Sequence, residues 1–159
     1  MGFTTQVLNI FSKKIQEYNL KVDHESEYSV FLKFNKFEIN IYKEYSNVFA
    51  EIIDNKDEKY DLGLLYSLVL KLNFNTYNDV LDTEEKNRQQ LNNYLEIISV
   101  ILKDIGAGNF EWKNKYAKYY TDLRYIQFKM GSKFSFNHPI YNKFISNDLT
   151  WKIDLENGV

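Results

Sequence analysis

Between Tyr28 and Asp54 the chain alternates apolar and polar side chains, and does so in three successive runs. Tyr28, Val30, Leu32 and Phe34 share one face, with Ser29 and Lys33 opposite. Phe37, Ile39 and Ile41 then alternate with Glu38, Asn40 and Tyr42, and a third run covers Val48 to Asp54. Successive side chains of an extended strand point to opposite faces, so a period of two buries one face and wets the other. The separators, Asn35-Lys36 and Glu44–Asn47, are short and polar. Connections that short join antiparallel neighbours; parallel strands need a long crossover. The pattern predicts a three-stranded antiparallel meander that must be covered on one side.

The flanking sequence supplies the cover. Phe3, Val7, Ile10, Phe11, Ile15 and Tyr18 fall on one face of a helix over residues 3–18. After the loop Asn55–Lys59 the period changes to helical, with Leu62, Leu65, Leu68, Val69 and Leu72 on a stripe and Asp61 at the N-cap. Residues 73–81 follow neither period. Asp82-Thr83-Glu84-Glu85 has the form of a capping box, ahead of a stripe formed by Leu91, Tyr94, Leu95, Ile98, Ile101, Leu102 and Ile105. Gly106 stands where a glycine ends a helix. Trp112, Tyr116, Tyr119 and Leu123 predict a further helix starting near Asn109. From Arg124 onward Ile126, Phe128 and Met130 alternate, as do Phe134 and Phe136, which predicts a hairpin or a covering loop. His138-Pro139 marks a turn, and Trp151, Ile153 and Leu155 predict an edge strand. The expected fold is α+β: an N-terminal helix, a three-stranded antiparallel meander, then three or so helices packed on one face of the sheet, with residues 1–159 as a single domain.

Composition excludes several chemistries. Cys is absent, so there is no disulfide framework, zinc-thiolate site, iron–sulfur cluster or catalytic thiol. The only histidines are His24 and His138, too few for a multi-histidine metal site. The chain carries 18 Lys, 18 Asn, 13 Tyr and 12 Phe but 2 Arg. Lys, Asn, Ile, Tyr and Phe share A/T-rich codons, so coding bias accounts for this profile without a nucleic-acid function. Arg, the residue of bidentate phosphate and guanine contacts, is nearly missing. The opening residues Met1–Lys14 lack the basic, apolar and small-residue order of an export signal, and Gln6 breaks a myristoylation motif. Apolar runs such as Leu64–Tyr66 are too short to span a bilayer. A soluble cytoplasmic protein with no membrane partner is the expectation.

The common phosphate cradles and nucleophile elbows are absent. Gly106-Ala107-Gly108 follows a helix rather than a strand, which suits a helix stop and a tight turn. His24, between Asp23 and Glu25, and His138, before the only Pro, are the candidate general bases, against the simpler reading of polar loop residues. Glu38 and Glu51 are a candidate carboxylate pair, against the simpler reading of the sheet's wet face. No cofactor is implied.

Charge is more informative. The net charge of −2 divides unevenly: residues 44–104 carry 12 acidic and 6 basic side chains, and residues 111–152 carry 3 acidic and 8 basic. Acidic groups concentrate at Asp54, Asp57, Glu58 and Asp61 and at Asp79, Asp82, Glu84 and Glu85. These are the candidate partner-binding residues, since a negative patch attracts a basic partner and speeds its association. Carboxylates also favour helix N-termini for their own sake. Lys113, Lys115, Lys118, Arg124, Lys129 and Lys133 are interleaved with Tyr116, Tyr119, Tyr120, Tyr125 and Phe128, a pattern single-stranded nucleic acid can use. The acidic isoelectric point of about 5.7 weighs against that use.

The meander at 28–54, the two acidic clusters and the segment Gly106–Trp112 together resemble bacterial immunity proteins, which neutralise a toxin made by the same cell. The resemblance is one of type: a small, Cys-free, slightly acidic α+β domain without a catalytic motif. It implies a non-catalytic module that binds a basic toxin domain one-to-one and occludes its active site, with carboxylates standing in for phosphates. Alternatives are an enzyme using carboxylates and one His, a nucleic-acid binder using residues 113–133, and a subunit of a larger assembly.

Overall fold

A computed structural model describes residues 2–71 and 83–158. The first helix, α1 (Phe3–Tyr18), buries Phe3, Val7 and Phe11. It ends because Asn19 takes a left-handed conformation (φ 54°) while Leu20 N–H bonds back to Ile15 O at 2.9 Å. Asn tolerates that region better than other residues bearing a Cβ.

Five strands follow: β1 (Lys21–Glu25), β2 (Ser29–Phe34), β3 (Phe37–Glu44), β4 (Asn47–Ile53) and β5 (Lys59–Asp61). They lie in chain order, all antiparallel. The three central strands are those the alternation predicts, and the register stacks their apolar residues into rows. Val30 faces Ile41, which faces Ala50; Leu32 faces Ile39, which faces Ile52, which faces Tyr60. All of these are buried. The two outer strands correct the expected count of three. Every residue of β1 is exposed, so no hydrophobic alternation marks it. β5 is three residues long, too short to show a period.

The helices cover one face. Helix α2 (Leu62–Leu70) begins where Asp61 Oδ1 accepts Leu64 N–H at 3.0 Å, as the N-cap reading predicts. It is apolar on nearly every side, since it is packed between the sheet, α3 and α4. Helix α3 (Thr83–Gly106) carries the predicted stripe. Asp82, the first residue of the expected capping box, lies outside the described residues, as do Leu72 of the expected α2 stripe and residues 73–81. The helix stop is at Gly108 rather than Gly106: Gly108 has φ +72° and donates to Ile105 O at 3.0 Å, and Asn109 donates to Asp104 O at 2.8 Å. Those two bonds form the Schellman pattern, in which the position after the cap needs a positive φ.

The end of the chain departs from expectation. Helix α4 (Glu111–Met130) runs through the stretch read as a hairpin or loop. Its buried stripe of Trp112, Tyr116, Leu123, Ile126 and Met130 keeps helical spacing throughout, while Phe128 is 83% exposed. After a 3-10 turn at Gly131–Lys133 come α5 (Pro139–Ile145) and α6 (Trp151–Glu156). The predicted edge strand at 151–155 is therefore a helix. Trp151 and Leu155 point inward one turn apart and Ile153 faces solvent; residues i and i+4 share a face in both periods, so three alternating residues could not decide.

One buried ion pair ties the sheet to α4. Asp54 follows β4 and is 5% exposed. Its Oδ1 accepts the N–H groups of Lys56 (2.9 Å) and Glu58 (3.0 Å), and its Oδ2 takes Lys113 Nζ at 3.0 Å. The same ammonium lies 5.1 Å from the ring of Phe37, 5.5 Å from Phe110, 5.7 Å from Tyr60 and 5.8 Å from Trp112. Burial opposes ionisation of Asp54, but the Lys113 ammonium and the two backbone donors outweigh it and hold the carboxyl below its ordinary value.

Two outcomes follow. Lys113→Met leaves a buried carboxylate without its cation and is expected to lower unfolding stability by about 3 kcal/mol, the low end for a buried pair because Lys113 keeps partial solvent contact. Urea denaturation measures it. A depressed folded-state value means that the stability Asp54 contributes is present above the unfolded value of about 3.9 and is lost as pH falls through the lower folded one. Urea midpoints between pH 5 and pH 2 should therefore fall more steeply for the wild type than for Asp54→Asn.

Candidate functional site

Antiparallel order decides which turns are neighbours. The β1–β2 turn and the β3–β4 turn lie at one end of the sheet, and the β2–β3 and β4–β5 turns lie at the other. The start of α1 joins the first end, where Thr4 Oγ1 donates to Ser26 O. The start of α3 joins it too, where Gln6 Nε2 donates to Glu84 O at 2.8 Å. Glu25, Glu27, Glu44, Glu84 and Glu85 thus collect at this end, with Lys43 among them and Glu85 paired to Arg88. A cavity of about 580 Å³ opens there, bordered by Thr4, Glu25, Glu27, Tyr28, Lys43 and Glu84.

Two tyrosines stand out of this acidic end. Tyr28 is 56% exposed, and its hydroxyl proton is held by a hydrogen bond to Glu27. Tyr45, at the tip of the β3–β4 hairpin, is 92% exposed and has φ 56°. The β2–β3 hairpin has the same two-residue length and puts Asn35 in the left-handed position with φ 53°. Asn is ordinary there; a bulky aromatic residue is not, and its strain is about 1 kcal/mol. Residues kept in strained backbone conformations cluster at functional sites.

A second concave site follows from the length of β5. It pairs only with Glu51–Ile53, so the outer edge of β4 from Asn47 to Ala50 has no strand beside it. Side chains of α3 serve that edge instead. Gln90 Oε1 accepts Val48 N–H at 2.9 Å, and the Tyr94 hydroxyl donates to Val48 O at 3.0 Å. Against this edge lies a cleft of about 550 Å³, walled by Tyr94, Tyr116, Tyr120, Tyr141, Asp61 and Arg124. Tyr116 Oη accepts Asp61 N–H at 2.9 Å and its ring stacks on Tyr120 at 5.7 Å and 10°. Arg124 lies 5.9 Å over the Tyr120 ring.

Asp61 keeps an exposed edge, but the cleft walls strip hydration from its carboxyl. That loss, with repulsion from Glu51, holds it above the ordinary carboxylate value against hydrogen bonds from the N–H groups of Leu64 and Gly63. Burial pushes the hydroxyls of Tyr94, Tyr116 and Tyr141 up as well, Tyr116 to about 12, and the charge of Asp61 adds to each. All three are neutral phenols at physiological pH.

The acidic residues singled out from sequence that lie among the described residues do not form one surface. Asp54 is inside, neutralised by Lys113. Asp57 and Glu58 are exposed on the β4–β5 turn, with Glu58 accepting the Tyr60 hydroxyl at 2.8 Å. Asp61 caps α2 and walls the cleft. Glu84 and Glu85 are at the opposite end of the sheet from Asp57 and Glu58. Asp79 and Asp82 lie outside the described residues.

The remaining candidates separate too. His24 is on the exposed strand β1, 5.9 Å from the Phe31 ring. His138 caps α5 by accepting Ile140 N–H at Nδ1. Neither lines a cavity described above. Glu51 is on the uncovered sheet face, taking Asn40 Nδ2 at 3.3 Å, and Glu38 faces Lys33 across the strands. In the basic segment Lys113 is consumed by the ion pair, while Lys115, Lys118 and Lys129 are exposed on α4. Among the described residues no group of three or more His, Asp or Glu is placed to hold a metal ion, and no helix is long and apolar enough to cross a membrane.

Comparison with protein-family models, with curated proteins and with solved structures returns no match for this chain. Sequence reasoning missed Tyr45 and the cleft. Tyr45 could have been found, since the short separator Glu44–Asn47 is a hairpin tip where Gly, Asn or Asp is expected at the centre. The cleft could not, because its walls come from β4, β5 and four helices spread along the chain. Tyr94→Phe should leave Val48 O without its donor and lower stability by about 1–2 kcal/mol, read from urea denaturation.

Proposed function

We propose that this chain is a non-catalytic protein-binding module of the immunity type, acting in the cytoplasm on a basic partner in a one-to-one complex. The observation that carries the reading is Tyr45, held in a strained conformation and 92% exposed at the tip of the central hairpin. Buried aromatic anchors dominate protein interfaces, and tyrosine supplies large contact area for little side-chain entropy. Tyr28 stands at the same end and shares its cavity with Glu25, Glu27 and Glu84, while Glu44 adjoins Tyr45 at the end of β3. In this reading the tyrosines seat in the partner and the carboxylates occupy the positions that phosphates would take in its active site. The acidic surface in this reading is the sheet end, with Glu84 and Glu85 retained from the sequence expectation, and with Asp54, Asp57, Glu58 and Asp61 left out of it.

The test uses Tyr45→Asn with Glu25→Lys and Glu84→Lys in pull-downs from the native host. Wild type should retain a basic protein at one-to-one stoichiometry, in a complex weakened by salt, and the triple variant should lose it. Capture of the same protein by both, or of no basic protein by the wild type, overturns the reading. Tyr45→Asn alone should raise unfolding stability by about 0.5–1 kcal/mol, since Asn tolerates the left-handed region. Gain of stability with loss of binding separates a functional residue from a structural one.

A further inference from the structure

The tyrosine-walled cleft is distant in role from the sheet end, and its chemistry points elsewhere. Four tyrosine rings, from α3, α4 and α5, wall a space of about 550 Å³ that Phe49 and Phe136 also line, within the range small-molecule sites occupy. The face of each ring is negative and attracts cations. The molecule already uses that attraction at the rim, where the Arg124 guanidinium packs over Tyr120. Asp61 is the carboxylate in the wall, and no cationic side chain among the described residues pairs with it.

Asp61 is also placed directly across the strands from Glu51, two like charges in register. Such pairs destabilise a sheet. Lys59 reaches Glu51 only at 4.0 Å from an exposed position, so it relieves little of the repulsion. A cation bound beside Asp61 would remove it.

We propose that the cleft binds a small organic cation, a primary ammonium or a guanidinium group, with Asp61 as its counter-ion and the rings of Tyr116, Tyr120 and Tyr141 around it. The negative field of Asp61 reaches those walls: it helps keep Tyr94, Tyr116 and Tyr141 protonated. This site is independent of the protein-binding surface proposed above. The same cationic chemistry can come from a free amine or from a Lys or Arg side chain presented on a peptide.

Isothermal titration calorimetry with 1,4-diaminobutane and methylguanidinium tests it, beside their neutral counterparts 1,4-butanediol and methylurea. The cations should bind in the millimolar range or tighter and the neutral molecules should not. A third arm, N-acetyl-arginine amide, distinguishes the sources: binding confined to this probe assigns the site to a partner's side chain. Asp61→Asn keeps an N-cap of equal quality and removes the repulsion with Glu51, so the fold should be retained with a melting temperature at or above that of the wild type. Its affinity for the cation should fall about tenfold or more, equivalent to about 1.4 kcal/mol. Tyr120→Leu, on the exposed side of α4, should weaken cation binding without loss of fold. Equal binding of neutral and cationic probes, full affinity in Asp61→Asn, or no binding by any cation overturns the proposal.

Discussion

Strand β4 is longer than the strand laid beside it. Because β5 ends at Asp61, opposite Glu51, the chain leaves the sheet while four residues of β4 still have an open edge. Unpaired backbone groups away from water are costly, and an open edge invites association with other chains. The molecule meets both demands with side chains from α3: Gln90 and Tyr94 bond Val48 N–H and O in place of a strand. That requirement sets how closely α3 approaches the sheet. It holds α2 between them and leaves the cleft as the space that no strand fills. Asp61 stands at the hinge of this arrangement, the last residue of a strand, the cap of a helix and the carboxylate of the cleft.

The second constraint is electrostatic. The chain divides into an acidic stretch and a basic one, and the structure joins them at Asp54 and Lys113. The pair is enclosed by Phe37, Tyr60, Phe110 and Trp112, so aromatic side chains from β3, β5 and the start of α4 all converge on one ammonium. Part of the charge asymmetry is therefore spent inside on attaching α4 to the sheet. Outside, Asp57 and Glu58 stand at one end of the sheet, and the opposite end, with Glu25, Glu27, Glu44 and Glu84, also carries the strained Tyr45.

How much of this was legible in the sequence depends on range. The meander was legible because Val30, Leu32, Ile39, Ile41, Ala50 and Ile52 alternate within single strands, a pattern set by backbone geometry alone. The Asp61 cap and the stripe of α3 were legible for the same reason. Strand β1 was not, since it lies at an exposed edge and has no face to bury. At Trp151–Leu155 the local pattern fits two periods, and only packing against neighbouring helices selects one. The carboxylates of the sheet end were legible as residues but not as neighbours, since only the antiparallel order of the turns brings Glu25, Glu27 and Glu84 together.

The sequence by itself determined a one-sided antiparallel sheet, helices to cover it and the absence of thiol chemistry, because these follow from periodicity and from residue types present or missing. Tertiary structure alone decided that Asp54 is neutralised within the molecule and that Glu84 stands at the opposite sheet end from Asp57. It alone decided that Asp61 shares a cleft with tyrosines 33 to 80 residues further along the chain. Charge and aromatic character are properties of a residue, whereas a site is a property of distance. Distances between residues far apart in the chain are set by how the helices pack once the open edge of β4 has been covered.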